Sequence, residues 1–340
     1  MAKRLPKYLQ KQDFKAIGQS LNKSETAEEL LLAVRDRFGQ HAEIDELKMR
    51  HLHNCVFVCE LLISRAPRRN NVSWSVVAKK FADKEDLIRA FQLMRTLWDN
   101  GFSYKNRDGI SIAQPLVLAE NLNLLFMEMV PGDKLRRLIK TGGKDGVKYM
   151  RTFARTLAKL HQCPIIPDLE MSVASELEDK EKLYCELMEA FPALRKSIQF
   201  IVQTSLQIAD QFGMDICVPV HTDYNLGQLH IEGEHCWLLD FGNLRHGDPA
   251  SDVGNVLTLA LLNNEKKAVS NGDELLTAFK QEYYSLMDER DEAIVHRVPI
   301  YEALNLLFRA CKYFHGVNGD RLARIEPLVK RAVACIERNY

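Results

Sequence analysis

Two short apolar runs around a Glu-Gly-Glu turn constrain this chain more than any other stretch. Leu229-His230-Ile231-Glu232-Gly233-Glu234-His235-Cys236-Trp237 reads as a β-hairpin. Val220-His221-Thr222-Asp223-Tyr224-Asn225-Leu226-Gly227-Gln228 precedes it, and Leu238-Leu239-Asp240-Phe241-Gly242 follows. With the turn centred on Gly233 and Glu234, antiparallel pairing sets Gln228 roughly opposite Asp240. Residues facing each other across such a ladder have Cα atoms ~5 Å apart. The hairpin therefore brings an amide oxygen and a carboxylate together, with Asp223 on the loop just before it. That is a way to hold a divalent cation beside a general base. Mg²⁺ takes oxygen ligands and keeps waters and substrate phosphates as its remaining partners.

His221-x-Asp223, then Gln228, then Asp240-Phe241-Gly242, then Gly247-Asp248-Pro249-Ala250-Ser251-Asp252 resembles the aminoglycoside phosphotransferase and choline kinase family. The resemblance implies the protein-kinase-like fold, with Asp223 as catalytic base and Gln228 and Asp240 as ligands of the Mg²⁺ that bridges the ATP phosphates. The family usually has Asn where Gln228 stands, and the Leu-Gly-Gln run is similar to maltokinase-like members. Gln keeps the amide oxygen and adds a methylene. Charge points the same way, because residues 219–254 hold six acids against the single Arg245. Such a site repels ATP unless cations are bound.

At 340 residues the chain is long for one core and comfortable for two lobes. A formal net charge of zero gives no footprint for nucleic acid or an anionic membrane. No apolar run approaches ~20 residues, so no membrane span is expected. The basic N-terminus (Lys3, Arg4, Lys7) lacks the apolar core of a signal peptide. Eight Cys without a CxxC pair read as reduced thiols of a cytoplasmic protein.

In chain order, residues 1–45 read as a helical extension with a packing role, one helix ending near Gly39. Residues 46–127 turn to strands and read as the N-lobe, with Arg68-Arg69-Asn70-Asn71 as a turn. A lysine ending an apolar strand also reads as a snorkelling surface residue. Beside the downstream motifs, Val77-Ala78-Lys79 resembles the kinase strand whose lysine grips the ATP phosphates, with Lys80 the alternative. The place of the phosphate-covering loop falls on His51-Leu52-His53-Asn54-Cys55, which has no Gly. His51-x-His53 reads as structural or exposed rather than as a metal pair. On the helix from Asp83 to Asn100 the lysine's acidic partner is unmarked, and Gln92 is the candidate for its position. Leu124 to Gly132 is a buried strand stopped by Pro-Gly, and it resembles the hinge where backbone groups of Glu128 and Val130 bond the adenine edge.

Residues 128–340 read as the C-lobe. An amphipathic helix over 144–162 ends at His161, read as a C-terminal helix cation. A charged helical insertion covers about 168–214, and helices fill 255–340. His221 reads as packing the catalytic loop, and Asp252 as its brace or a plain N-cap. Residues 262–300 carry eight acids and five bases, which suits a cationic acceptor and equally a solvated helix face.

The expectation is an α+β, two-lobed protein-kinase-like fold with a small antiparallel-sheet N-lobe and a larger, mostly helical C-lobe. Its activity is ATP-dependent (GTP is the alternative donor) and Mg²⁺-dependent transfer to a hydroxyl of a small polar acceptor: a sugar, an aminoglycoside or an amino alcohol. The missing glycine loop, the unmarked acidic partner and Gln228 support a rival reading, a catalytically weak or inactive nucleotide- or partner-binding relative. A protein substrate is disfavoured, since no Ala-Pro-Glu follows Asp-Phe-Gly and the loop lacks His-Arg-Asp. The sequence assigns no oligomeric state.

Overall fold

The computed structural model describes residues 25–53, 55–65, 71–141, 145–212, 217–265, 272–287, 292–316 and 319–338. The expected turn at Arg68-Arg69-Asn70 and most of the N-terminal extension lie outside them. Contacts divide the chain into two compact units, 1–132 with 230–242, and 133–229 with 243–340.

The first unit is built on a five-stranded antiparallel sheet. Helix α1 (Glu25–Phe38) leads into β1 (Ala42–His53), β2 (Val56–Arg65) and β3 (Val72–Lys80). Helix α2 (Lys84–Leu97) follows, then β4 (Ile110–Ile112), β5 (Pro115–Ala119) and β6 (Leu124–Glu128). The sheet order is β1-β2-β3-β6-β5. Side chains alternate between the faces of a strand, so Trp74, Val76 and Ala78 of β3 enter a buried cluster with Leu30 and Val34 of α1. The same alternation turns Val77 and Lys79 to the other face. The packing role expected of the first helix is thus met by α1.

One sequence expectation needs correction. His51-Leu52-His53 is not a loop but the end of β1, paired with Phe57 and Val56 of β2. The pairing with β2 carries the strand on through His53. The start of β2 closes against β3, where Lys80 N donates to the Cys55 carbonyl at 2.8 Å. His51 is exposed and stands edge-on to Phe57, centroids 5.9 Å apart.

The hairpin forms as expected, with strands Leu229–Glu232 and His235–Leu238 joined at Gly233, whose φ of 60° suits a two-residue turn. Its second strand pairs in parallel with β4, Cys236 opposite Ile110 and Leu238 opposite Ile112. Gly109 and Gly132 let backbone approach this hairpin. A Cβ on Gly109 would lie 2.8 Å from the Glu234 oxygen, and one on Gly132 would collide with the Ile231 carbonyl.

The second unit is mostly helical. It contains α3 (Leu135–Lys140), α4 (Gly146–His161), α5 (Val173–Ala190) and α6 (Arg195–Phe212). The strands β7 (Val218–Val220) and β8 (Arg245–Gly247) pair antiparallel. Helices α7 (Ala250–Glu265), α8 (Gly272–Leu286), α9 (Glu292–Phe314) and α10 (Ile325–Glu337) complete it. The apolar stripe of α4 buries Met150, Phe153, Ala154, Leu157 and Leu160, and Phe153 meets Phe279 of α8 with centroids 5.5 Å apart. Among the described residues no helix is long and apolar enough to cross a membrane.

Candidate active site

In the first unit, Lys79 and Asp240 meet although 161 residues separate them. Lys79 Nζ donates to Asp240 Oδ1 at 2.6 Å, with 27% and 48% of the two side chains exposed. The β3 register sets this up, because Lys79 sits opposite Val56 of β2 and Leu125 of β6 near the sheet's end. Lys80, on the alternate face, turns to the Leu122 carbonyl instead. Asp240 has φ 68°, a left-handed conformation that Asp tolerates better than most residues. Gly242 follows it without a side chain, 3.6 Å from Lys79 Nζ by the place its Cβ would take. Gln92, the candidate partner of the lysine, has an exposed side chain, and the ion pair that Lys79 makes is with Asp240.

Glu128 ends β6. Its N–H donates to the Gln114 carbonyl at 2.9 Å, and its carboxylate pairs with Arg37 of α1 at 2.9 Å. Val130 is half-buried two residues on, before the Pro131-Gly132 stop.

In the second unit, the loop after β7 is held from three sides. Asp252, in the first turn of α7 and fully buried, accepts from His221 N at 2.6 Å and from Thr222 N at 2.8 Å. These bonds fix Thr222 at φ 64°, a conformation that is an outlier for a β-branched residue. Tyr224 stacks on Phe153 at 4.3 Å, and its hydroxyl donates to the Phe153 carbonyl at 2.6 Å. Asn255 Nδ2 donates to the Tyr224 carbonyl at 3.1 Å. Asp223 lies between these anchors and is exposed. The Gln228 amide donates to Asp223 Oδ2 at 3.3 Å, and Asn225 closes the turn by accepting from Gly227 N at 2.8 Å.

Asp252 is therefore a brace and not a plain N-cap; at the start of α7 the carboxylate of Asp248 accepts from Ala250 N at 2.9 Å. His161 lies in the last turn of α4, where the sequence reading put it. It is buried, with Nε2 3.2 Å from Asp252 Oδ2 and Nδ1 2.7 Å from the Tyr283 hydroxyl. Arg297 of α9 was not singled out by sequence. It donates to Asp248 through Nε at 2.6 Å and NH2 at 3.0 Å, a buried two-pronged pair. Burial, with Asp248 close by, also pushes the Tyr301 hydroxyl well above its ordinary range. A lone Arg in a helical stretch gives no signal, and only an acid whose partner is missing locally hints at it.

Each unit carries an oxygen donor of a type a hard cation takes. In the first, Asp240 offers a half-exposed carboxylate, and in the second Gln228 carries a side-chain amide oxygen; Mg²⁺ takes such ligands alongside phosphate and water. Among the described residues no cluster of three or more His, Cys, Asp or Glu could hold a metal.

The model of the phosphotransferase enzyme family matches residues 68–293. The chain belongs to this family. No curated protein sequence matches the chain at a significant level. Solved structures share the fold at low identity. An ADP-bound aminoglycoside phosphotransferase is 16% identical with a TM-score of 0.55, the match covering 89% of this chain and 96% of that one. An ethanolamine kinase from Plasmodium vivax is 12% identical with a TM-score of 0.56, covering 97% and 95%. An amicoumacin kinase in complex with AMP-PNP, Ca²⁺ and Ami is 13% identical with a TM-score of 0.59, covering 96% of each chain. The antiparallel-sheet unit and the helical unit of this phosphotransferase are those of the protein-kinase-like fold.

Proposed function

We propose that this phosphotransferase moves the γ-phosphoryl group of ATP or GTP to a hydroxyl of a small polar acceptor, a sugar, an aminoglycoside or an amino alcohol. The ion pair of Lys79 with Asp240 carries the reading. A pair this exposed contributes only about 0–1 kcal/mol to stability, so holding the fold is a poor explanation for it. Both partners instead exchange each other cheaply for a nucleotide's phosphates and their cation. Lys79 then neutralises phosphate charge, and Glu128 and Val130 offer backbone groups to the base. Asp240 and Gln228 are the residues that would hold Mg²⁺, which supplies charge neutralisation across the phosphates when bound.

Asp223 is the base in this proposal. Gln228 holds Oδ2, which leaves Oδ1 to take the acceptor's hydroxyl proton and aim its oxygen at phosphorus. The rate comes mainly from positioning and charge stabilisation. A loop fixed by Asp252, Tyr224 and Asn255 is suited to positioning. The nucleotides and acceptors in the names of the structural relatives add support. A cytoplasmic location accords with eight cysteines that carry no disulfide.

Thermal unfolding with ATP or GTP, with and without Mg²⁺, tests the nucleotide site. A ligand at a hundredfold excess over Kd adds about 2.7 kcal/mol. A Mg²⁺-dependent rise that Asp240→Ala abolishes is expected, followed by phosphorylated product in a screen of acceptors. No rise with either nucleotide removes the assignment, and a rise indifferent to Mg²⁺ replaces the kinase with a non-catalytic binder.

A further inference from the structure

The first unit holds a concavity of about 790 Å³ beside β5 at the edge of its sheet. That volume is within the usual range for small-molecule sites. It is cationic. Arg37, Arg65, Arg95 and Lys105 line it against only two acids, Asp36 and Glu128. Arg37 is engaged with Glu128 at 2.9 Å. Arg65 is not neutralised in this way. Its Nε is buried, and among the described residues no hydrogen-bond acceptor reaches it. Its guanidinium lies over Phe38 at 4.6 Å, which fixes the donor without satisfying it.

The concavity also has aromatic walls, with Tyr104 and Trp237 partly open, and it reaches nearly buried Trp74, whose ring Arg37 covers at 5.3 Å. Trp74 belongs to the α1 side of the sheet, with Val76 and Ala78, while Lys79 faces the other side. The grip on the nucleotide phosphates and this concavity are therefore different places on the unit. The chain's first 24 residues carry six Lys or Arg and one Asp, the wrong sign to neutralise it.

We propose that this concavity binds a planar organic anion, an aromatic ring bearing a phosphate or carboxylate, with the ring against Trp237 and Tyr104 and the anion on Arg65 and Arg95. Arginine suits both tasks, since its planar fork bonds oxyanions in pairs and stacks on rings. Because Glu128 and Val130 border the same space, occupancy is placed to be felt at the segment proposed to hold the nucleotide base.

The probe is 1-naphthyl phosphate, titrated calorimetrically into the full chain with the nucleotide site saturated by a non-hydrolysable ATP analogue. Inorganic phosphate serves as the ring-free control. Arg95→Glu and Arg65→Gln are compared with wild type, each with a melting curve to show that it is folded. Saturable binding that weakens about tenfold or more in Arg95→Glu, equivalent to about 1.4 kcal/mol, is expected. Arg95 is exposed, so that variant keeps the fold if Arg65→Gln does not. Equal binding by wild type and Arg95→Glu, or none at millimolar probe, overturns the proposal. Phosphate binding as tightly as the naphthyl ester removes its aromatic half.

Discussion

Thr222 and Asp240 both take left-handed backbone conformations, φ 64° and 68°, at a cost of roughly 1–2 kcal/mol each for residues with a Cβ. They lie in the two motifs proposed to carry the chemistry, and each is held by a specific bond: Thr222 N to Asp252, and Asp240 Oδ1 to Lys79. Asp223→Asn keeps the turn but removes the proposed proton acceptor, so turnover should fall by about 10²–10⁴-fold while nucleotide affinity holds, as single-turnover assays with separate binding titrations would measure. Lys79→Met should raise the nucleotide Kd by at least tenfold, and Lys80→Met should leave it nearly unchanged, because Lys80 is spent on the Leu122 carbonyl. Equal losses in the two variants would remove the distinction. Sequence favoured Lys79 by its resemblance to the kinase strand and kept Lys80 as the alternative. What separates them is which face of β3 each occupies, and that depends on register with β2 and β6.

Among the elements, the loop bearing Asp223 depends on α7. Asp252→Ala strands two N–H donors, the buried one of His221 and the part-buried one of Thr222. A loss of roughly 3 kcal/mol or more is expected, seen as a lower urea midpoint with activity lost at lower denaturant still. An unchanged midpoint would show the brace to be dispensable. At the hairpin, Gly132 has φ 84° and no room for a Cβ against Ile231. Gly132→Ala should cost more than about 1 kcal/mol, whereas an alanine at Gly39, which has nothing within 4 Å, pays only the conformational part. The hairpin was legible because its turn, alternation and flanking acids all lie within one short stretch. The brace on Asp252 was half legible, since an acid early in a helix also reads as a cap. The extension of β1 through His53 was not legible, because a His-rich strand end carries little propensity signal.

Across the whole chain, burial sets the titration of several groups. It pushes the thiols of Cys59, Cys311 and Cys335 up to about 12, so exposed Cys185 should label first with a thiol reagent at neutral pH. Glu302 has its pKa raised by burial. A carboxyl that binds its proton more tightly when folded contributes stability at low pH and loses it as pH rises from the usual value of 4.5 through the folded one. Glu302→Gln should therefore raise the melting temperature at pH 7, with the gain shrinking toward pH 4. A gain equal at both pH values would sink that account. Fold class was legible from ordered motifs at this scale. Arg297, Tyr283 and His161 were not, because their partners lie 49, 122 and 91 residues away.

Those separations bear on how the protein is made. A ribosome delivers Asp223 and Asp240 well before Tyr283 and Arg297. The chemistry-bearing loop therefore leaves the exit tunnel without two of the side chains that lock its supports. Until α8 and α9 emerge, a nascent chain should expose the segment around Asp248 and Asp252 to added protease, and protection should arrive abruptly once Arg297 clears the tunnel. Stalled chains ending on either side of that point offer the comparison, and equal protection in both would mean the loop matures without them.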